Sequence, residues 1–355
     1  MWRQEREKPW LIAGPCSAES FDQLRKTTLA VQKLGVKTVR AGIWKPRTRP
    51  NSFEGKGEEA LKWIKAIKNE AEVEFAVEVA SASHVELAMK YDVDIVWIGA
   101  RSSVNPFLVQ EIAEAMKGYD MPVLVKNPVN PDLDLWLGSI ERLANVGVKK
   151  IGAIHRGFSA FKKSEYRNQP LWQIAIELKR VLPEIPLICD PSHIGGDSSM
   201  ILDISQKALD LEYNGLMIET HPDPERALSD PKQQVTPEQL DYIMARLQVR
   251  NNQTDDVFFR NKLDELRNKI DSVDHDIIEN LATRVKLIEE IGDYKEQNNV
   301  AVLQLERWNE ILKSRKNWAE KVGLSQEVIT EIYTLIHADS VKRQTEIFNR
   351  HKNED

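Results

Sequence analysis

The chain has 355 residues and is 41% hydrophobic, so it is long enough for two domains and has enough apolar side chains to pack a core. Its net charge of −6 argues against non-specific nucleic-acid binding, which needs a basic face. The two cysteines are too few for a disulfide framework, no apolar run approaches the ~20 residues that span a bilayer, and the first residues do not form a signal peptide. We therefore expect a soluble, cytoplasmic protein that binds neither nucleic acid nor membranes.

The distribution of proline and glycine divides the chain in two. All 16 prolines lie at or before Pro237, and only Gly292 and Gly323 of the 16 glycines lie beyond it. Because these residues interrupt helices, the first part is rich in turns, whereas the second is expected to consist of long helices. The polar stretch between the two parts predicts a linker. We expect a first domain at residues 1–248, a linker at 249–256 and an all-α domain at 257–355.

The first domain alternates short strand-like runs with amphipathic helical patterns. The predicted strands are residues 10–13, 38–43, 74–79, 95–99, 122–126, 150–154, 186–189 and 215–219. Eight such units in ~240 residues predict an α/β fold, a (β/α)8 TIM barrel, with a doubly wound open sheet as the alternative. Polar side chains at the C-terminal ends of these strands favour the barrel, because only a closed barrel brings all of those ends together. These residues are Cys16, Arg40, Arg101, Lys126, Arg156, His193 and Glu219.

One thiol, one imidazole and two carboxylates follow predicted strands and could hold a metal ion. They are Cys16, His193, Glu219 and Asp230. This mixture of soft and hard donors suits Mn²⁺, Fe²⁺, Zn²⁺ or Co²⁺ better than Mg²⁺. Taken singly, Cys16 could be a small buried hydrophobic residue, His193 a helix cap and Glu219 part of an ion pair. Their joint placement on one face of the barrel favours a divalent-metal site, whereas Cys189 lies inside a strand and is interpreted as structural.

A basic loop lies beside the predicted metal site. Residues 45–55 contain prolines and end in glycine, which excludes a helix, and the loop presents Lys45, Arg47 and Thr48 close together. Such a set of donors is suited to phosphate, although a solvated basic loop is the ordinary alternative. Arg101 follows Gly99 and Ala100, whose small size lets a ligand approach the backbone. Together with the metal site, this pattern indicates a metal-assisted reaction on phosphorylated anions.

The second domain begins with an uninterrupted helical pattern from Val257 to about residue 295, which would be ~60 Å long. Two further helices are predicted at 303–322 and 325–352, with Ser325 as the N-cap of the last. Because two short helices cannot cover the apolar stripe of such a long one, we expect a homodimer or higher oligomer through this domain. Arg284 and Lys295 lie ~20° apart on the first helix and Arg267 lies ~100° away, so a second chain would have to deliver Arg267 to a shared pocket. A solvated basic stripe is the alternative.

The barrel resembles 3-deoxy-D-arabino-heptulosonate 7-phosphate synthase. The matching segments are 14–17, 45–48, 99–101, 126, 155–156, 189–193, 219 and 230. The resemblance implies condensation of phosphoenolpyruvate with erythrose 4-phosphate, assisted by one divalent ion, with Mn²⁺ expected before Fe²⁺, Zn²⁺ or Co²⁺. The related synthase that makes 3-deoxy-D-manno-octulosonate 8-phosphate is disfavoured, because it typically carries Lys-Ala-Asn-Arg where this chain has Lys-Pro-Arg-Thr at 45–48. Since the first strand begins at Trp10, we also expect no N-terminal regulatory extension.

The same resemblance assigns roles to individual residues. It makes Cys16, His193, Glu219 and Asp230 the metal ligands. It implies that phosphoenolpyruvate is held by Arg40, Lys45, Arg101, Lys126 and Arg156. It implies that erythrose 4-phosphate is held by Lys45, Pro46, Arg47 and Thr48. Lys45, Lys126 and His193 are expected to take part in catalysis.

The helical domain resembles the all-helical chorismate mutase family. The matching positions are 266–271, 284, 295, 306–307, 339–341 and 344. The resemblance implies an intertwined dimer that converts chorismate to prephenate in pockets formed by Arg267, Arg284, Lys295, Arg307, Ser340 and Gln344. Of these, Arg284, Lys295 and Gln344 would be catalytic, and Arg267 would come from the second chain.

Two positions of the helical domain depart from that family. Trp308 stands where the family commonly has glutamate, and Gln304 where it has aspartate. Three interpretations therefore remain: an active mutase, a regulatory module that binds chorismate or prephenate with little turnover, or a device for dimerisation alone. Because dimerisation needs no converging cations, the retained basic residues argue against the third. We expect that chorismate or prephenate bound in this domain inhibits the barrel.

Overall fold

The computed structural model describes residues 9–45, 53–159, 164–250 and 255–351. The chain divides into two compact units, Met1–Asn252 and Gln253–Asp355. Pro46, Arg47 and Thr48, which are predicted to bind the aldose phosphate, lie outside the described residues. Among the helices of the described ranges, none is long and apolar enough to cross a membrane.

The first unit is a closed barrel of eight parallel strands in sequence order, which confirms the TIM barrel over the open sheet. The strands are β1 (Trp10–Gly14), β2 (Thr38–Ala41), β3 (Glu74–Val79), β4 (Ile95–Ile98), β5 (Val123–Lys126), β6 (Ile151–His155), β7 (Leu187–Cys189) and β8 (Gly215–Glu219). Strand β1 closes the barrel against β8, and the register pairs Gly14 with Glu219. The C-terminal ends of all eight strands therefore meet at one rim.

Nine α-helices are described in the first unit, most of them in the connections between strands. They are α1 (Phe21–Lys33), α2 (Glu58–Lys68), α3 (Ala82–Lys90), α4 (Pro106–Met116), α5 (Leu133–Asn145), α6 (Trp172–Val181), α7 (Pro191–Gly195), α8 (Ile201–Asp210) and α9 (Pro237–Met244). Several begin at a side-chain cap, as at Ser20, Asn105 and Asp132, whose oxygens accept backbone N–H groups of the first turn. Thr236 and Gln239 form a reciprocal capping box that starts α9.

Two apolar layers fill the barrel and its surroundings. The inner layer consists of Trp10, Ile12, Ala76, Ile95, Trp97, Leu124, Ile154, Ile188 and Met217. The alternate strand residues pack outward against the helices, together with Cys189, which is fully buried there. Because side chains fill the interior, the barrel is a packed core and ligands have access only at its rim.

The second unit consists of three helices, as the sequence predicted: α10 (Val257–Gln297), α11 (Leu305–Lys321) and α12 (Gln326–His351). The Ser325 hydroxyl accepts from the backbone N–H groups of Glu327 and Val328, so the predicted cap is present. Helix α12 packs against both α10 and α11. Within this chain only Gly292 of α10 is buried, and a row of large apolar side chains is exposed. That row includes Phe258, Leu266, Ile270, Val273 and Ile277.

Candidate active sites

The four predicted metal ligands meet at the rim in two close pairs. Cys16 Sγ lies 3.5 Å from Asp230 Oδ2, and His193 Nε2 lies 3.8 Å from Glu219 Oε1. Lys45 Nζ donates to both the sulfur and the carbonyl oxygen of Cys16, each at 3.0 Å. The fold therefore brings these residues together from connections that are far apart in sequence.

Burial and neighbouring charges set the protonation of these groups. Burial, together with the charge of Glu219, raises the pKa of the Cys16 thiol to about 11, although Lys45 and Arg40 oppose this shift. Burial disfavours the charged form of Asp230, but the Arg167 guanidinium outweighs it and brings the pKa of that carboxyl to about 2. In the same way Arg40 keeps the pKa of the buried Glu219 below its usual range. The site thus holds two carboxylates and a protonated thiol, and a bound cation would favour the thiolate.

Asp190 orients His193, a role that the sequence analysis missed. Its carboxylate caps α7 by accepting from the His193 backbone N–H at 3.1 Å, and it contacts Nδ1 of the same residue at 2.8 Å. Histidines that ligate metals usually have such a partner on the other ring nitrogen. Asp190 also accepts from Lys126 Nζ at 2.8 Å. The signal was the spacing of Asp190 and His193, three residues apart around a proline, which is typical of a capped helix start.

The donor set fits a divalent cation. Among the described residues, no three His, Cys, Asp or Glu side chains stand in a ready-made metal-binding arrangement. The separations of 3.5 and 3.8 Å nevertheless match the ~3–4 Å between two ligands that are each ~2.0–2.3 Å from one ion. Glu219 Oε1 lies 3.0 Å from Arg40 Nη2 but, as described, is buried without a well-aligned hydrogen bond. A thiol, an imidazole and two carboxylates suit a borderline-soft ion such as Mn²⁺, Fe²⁺, Zn²⁺ or Co²⁺.

Two buried cations lie close to the Trp97 ring of the barrel. Arg40 Cζ is 5.2 Å and Lys126 Nζ is 5.6 Å from the ring centroid. Arg40 is only 1% exposed, and in the described part of the chain its Nε and Nη1 atoms have no hydrogen-bond partner. Buried donors left without a partner are costly, so these N–H groups favour an anionic ligand.

Arg101 and Arg156, which are also predicted to bind phosphoenolpyruvate, follow β4 and β6 at the same rim of the barrel. Burial, together with the charges of Arg167 and Arg101, lowers the pKa of Arg156 to about 10, although Asp190 opposes this shift. Arg101 is exposed in the turn after β4, and its positive charge is one of those that act on Arg156. The sequence analysis also missed Glu78, whose Oε2 accepts from Trp97 Nε1 at 3.1 Å. A glutamate between two valines near the C-terminal end of β3 was the available signal.

The helical unit brings together only part of its predicted pocket. Arg284 on α10 donates to Ser340 on α12 at 2.8 Å, and Lys295 donates to the Val302 carbonyl oxygen at 2.6 Å. Gln344 is buried one turn beyond Ser340, and its Oε1 has no partner among the described residues. Arg284, Ser340 and Gln344 therefore lie at the contact between α10 and α12, whereas Lys295 contacts the loop that follows α10.

Arg267 and Arg307, in contrast, are paired along their own helices. Arg267 Nη1 lies 3.4 Å from Asp264, and its side chain is 65% exposed. Arg307 Nη1 lies 2.9 Å from Glu310, and its side chain is 63% exposed. Within a single chain, these two guanidinium groups therefore face solvent.

Comparison with known proteins gives a family for each unit. Residues 4–254 match the DAHP synthetase I family, and residues 266–345 match chorismate mutase type II. A phospho-2-dehydro-3-deoxyheptonate aldolase from Thermotoga maritima is 34% identical over 223 residues, which is 63% of this chain and 64% of that protein. The crystal structure of the Thermotoga maritima enzyme aligns with a TM-score of 0.59 at 32% identity, covering 66% of this chain and 67% of that one.

The second unit has a different relative. A bifunctional chorismate mutase/prephenate dehydratase from Buchnera aphidicola is 32% identical over 95 residues, which is 27% of this chain and 25% of that protein. The first match covers more than half of the chain, and the second lies wholly within the three-helix unit. The chain therefore belongs to the DAHP synthetase I family and carries a chorismate mutase type II domain after its barrel.

Proposed function

We propose that the barrel condenses phosphoenolpyruvate with erythrose 4-phosphate to give 3-deoxy-D-arabino-heptulosonate 7-phosphate and phosphate. The observation that carries this proposal concerns buried Arg40, which has two N–H groups without a hydrogen-bond partner among the described residues. Lys126 and the four proposed metal ligands belong to the same site. A substrate with a phosphate and a carboxylate matches these donors in charge and number. We propose further that the helical unit rearranges chorismate to prephenate, so that both units serve aromatic amino-acid biosynthesis.

The cationic side chains would hold and orient phosphoenolpyruvate. Arg40, Lys126, Arg101 and Arg156 neutralise its phosphate and carboxylate, which lets a second phosphorylated substrate approach despite the repulsion between the two anions. The alkene carbon then attacks the aldehyde carbon, water adds at C2, and the phosphate leaves with its bridging oxygen by C–O cleavage. Positive charge that develops at C2 is balanced by the substrate's own anionic groups, which the arginines keep in place.

The residues of the rim would hold one divalent ion, with Mn²⁺ proposed first. Cys16, His193, Glu219 and Asp230 are the proposed ligands, and Asp190 would fix the ring of His193. When bound, such an ion supplies Lewis-acid polarisation of the aldehyde oxygen. Lys45, which donates to Cys16 Sγ, directly precedes in sequence residues 46–48, which are proposed to hold the aldose phosphate.

The acceptor sugar is tested directly by a rate comparison. The full chain should release phosphate from phosphoenolpyruvate with erythrose 4-phosphate, and much more slowly with arabinose 5-phosphate. Removal of metal with a chelator should abolish the reaction, and Mn²⁺ should restore it. A preference for arabinose 5-phosphate, or full activity in the metal-free protein, would contradict the proposal.

The rearrangement of chorismate needs a compact substrate conformer and stabilisation of charge at the ether oxygen, but no nucleophile. Arg284 would bind a carboxylate, and Lys295 and Gln344 would donate to the ether oxygen. Because Arg267 and Arg307 are solvent-exposed in one chain, a complete pocket requires a second chain to supply Arg267. The exposed apolar row of α10 supports this homodimer, since burying such a row is the usual reason for association.

We also propose that prephenate or chorismate bound in the helical unit inhibits the barrel. The polar linker at 249–256 would allow the two units to change their arrangement, and coupling between two ligands is typically ~1–3 kcal/mol. Prephenate should then slow the synthase reaction of the full chain severalfold, but not that of an Arg284→Ala variant. Equal inhibition of both proteins would place the effector elsewhere. Chorismate binding without turnover would favour the alternative of a regulatory module.

A further inference from the structure

Residues 166–170, in the connection between β6 and α6, contact the end of β6 and the turn that follows His193. The backbone N–H of Arg167 donates to Gly195 O at 3.2 Å, and that of Asn168 donates to Ile194 O at 3.1 Å. On the other side, Gln169 and Phe158 exchange two backbone hydrogen bonds, each of 2.8 Å. This short segment is therefore fixed between the loop after β6, which carries Arg156, and helix α7, which carries His193.

The Asn168 side chain connects these two functional residues directly. Its Oδ1 accepts from Arg156 Nη1 at 2.7 Å, and its Nδ2 donates to the His193 carbonyl oxygen at 2.6 Å. Asn168 is only 9% exposed, so both bonds are largely shielded from water. An amide can accept with one terminal atom and donate with the other, which neither a carboxylate nor an ammonium group can do.

Arg167 extends the same contact to the two predicted carboxylate ligands. Its Nη1 donates to Asp230 Oδ1 at 2.9 Å and to Gln233 Oε1 at 2.5 Å, and Gln233 Nε2 donates to Glu219 Oε2 at 2.7 Å. These bonds engage one oxygen of each carboxylate. The other oxygens, Asp230 Oδ2 and Glu219 Oε1, are the ones that face Cys16 and His193.

Two glycines permit this close approach. A Cβ atom at Gly157 would lie 2.7 Å from Asn168 O, and one at Gly196 would lie 2.5 Å from Arg167 Cβ. Both glycines have positive φ, +78° and +72°, which side chains rarely adopt. The backbone around residues 166–170 is therefore shaped to bring Asn168 between the arginine and the histidine.

We propose that Asn168 is a positioning residue of the synthase site, which couples the orientation of Arg156 to the placement of His193. Phosphoenolpyruvate on Arg156 and a divalent ion on His193 would then strengthen each other's binding. Such coupling is reciprocal, so each ligand changes the affinity for the other by the same factor. This inference rests on the proposed function of the barrel.

The test measures the binding of Mn²⁺ and phosphoenolpyruvate to the full chain, separately and together. In the wild type, saturating phosphoenolpyruvate should tighten the Kd for Mn²⁺, as followed by the electron paramagnetic resonance signal of free Mn²⁺. Asn168→Ala should weaken the binding of Mn²⁺ by ~10–100-fold, as is typical for residues that support a metal ligand. It should also remove the effect of phosphoenolpyruvate on the Kd for Mn²⁺. It should also raise the KM for phosphoenolpyruvate.

A second variant separates the two halves of the bridge. Asn168→Asp keeps an acceptor for Arg156 but loses the donor to His193, so KM for phosphoenolpyruvate should stay within ~3-fold of wild type while Mn²⁺ binding weakens. Asn145→Ala is the matched control, because this exposed asparagine ends α5 at the opposite side of the barrel. It should leave Kd, KM and the coupling unchanged.

The outcomes distinguish this inference from the function on which it rests. A wild-type chain that does not condense phosphoenolpyruvate would overturn the proposed function. An active wild type in which Mn²⁺ and phosphoenolpyruvate bind independently would overturn the inference alone. So would an active Asn168→Ala or Asn168→Asp protein whose Kd for Mn²⁺ and coupling factor match those of the wild type.

Discussion

The barrel and the helical unit hold their charged side chains in opposite ways. In the barrel, Arg40, Lys126, Asp190 and Glu219 are all buried, and each contacts a group from another strand or connection. In the helical unit, Arg267 and Arg307 are mostly exposed and contact residues three positions along their own helices. Folding of one chain thus removes the proposed barrel site from water, whereas Arg267 and Arg307 of the proposed helical pocket stay in water within one chain.

The largest effect is expected from removing a proposed ligand in the barrel. Cys16→Ala should lower metal content and reduce condensation by more than the ~10–100-fold typical of changes to supporting residues, because the sulfur would contact the ion itself. Chorismate turnover should be unchanged, since that pocket lies in the other unit. Metal analysis of protein purified without chelator and both activity assays provide the measurement.

Cys189→Ala is the matched control for this variant. Cys189 is also buried, but it packs among apolar side chains outside the barrel interior. Its replacement should cost some stability and leave the metal content as it is. Full metal content and full condensation rate in Cys16→Ala would show that the thiol is not a ligand.

The next largest effect is expected in the helical unit. Arg284→Ala should reduce kcat/KM for chorismate by about 2–4 kcal/mol of transition-state stabilisation, because a guanidinium would no longer hold a substrate carboxylate. Arg260→Ala, at an exposed position of the same helix, should have little effect. An unchanged kcat/KM in Arg284→Ala would remove this residue from the pocket.

Mixing two inactive variants tests whether the pocket is shared between chains. If one chain supplies Arg284 and the other supplies Arg267, a heterodimer of Arg284→Ala with Arg267→Ala contains one intact pocket and one doubly altered pocket. Chorismate turnover should then reappear after the two proteins are unfolded and refolded together. Continued inactivity of a verified heterodimer would place both arginines of each pocket in one chain.

The pattern of strands and helices was predictable, because alternation, caps and glycine or proline are local signals. The same is true of residues at strand ends such as His193 and Glu219, since a barrel necessarily brings those ends together. The roles of Asp190 and Asn168 were not predictable in this way. Lys126, which donates to Asp190, and His193, whose carbonyl oxygen accepts from Asn168, lie on other strands or connections, so these contacts exist only after the chain has folded.

A pH effect is expected from His155, a buried histidine outside the proposed catalytic groups. Tyr213 Oη lies 2.8 Å from its Nδ1, and Pro170 O lies 2.6 Å from its Nε2, which fits a neutral ring that accepts at the first nitrogen and donates at the second. Burial lowers its pKa from 6.5 to about 4. Between pH 6.5 and about pH 4, His155 binds a proton in the unfolded chain but not in the folded one. The contribution of His155 to the free energy of unfolding is therefore fully present above pH 6.5 and declines as the pH falls.

The free energy of unfolding should be roughly 2 kcal/mol lower at pH 5 than at pH 7 because of His155. Chemical denaturation of the barrel, followed at both pH values, provides the measurement. His155→Phe should be less stable at pH 7, because the Tyr213 hydroxyl and the Pro170 carbonyl lose their partner, but it should lose less between pH 7 and pH 5. An equal pH dependence in the wild type and the variant would assign the effect to other groups.

The smallest effect concerns Trp308, which lies where the chorismate mutase resemblance places a glutamate. Its ring stacks on His337 with centroids 3.9 Å apart and an angle of 24° between the planes. His337 precedes Ser340 by one turn of α12, and Ser340 contacts Arg284, so the stack borders the proposed pocket. Burial lowers the pKa of His337, and the positive charges of Arg284 and Lys295 act in the same direction. The ring is therefore neutral near pH 7.

Trp308→Glu should therefore have two opposing consequences. Loss of the stack should destabilise the helical unit by about 0.5–1.5 kcal/mol, whereas a carboxylate near the substrate hydroxyl should raise chorismate turnover by ~3–10-fold. Trp308→Phe keeps an aromatic ring against His337 and should change neither quantity by much. If Trp308→Glu lowers turnover while Trp308→Phe preserves it, the aromatic ring itself contributes to binding, and the exposed pocket of this unit has been adapted to a tryptophan rather than weakened by it.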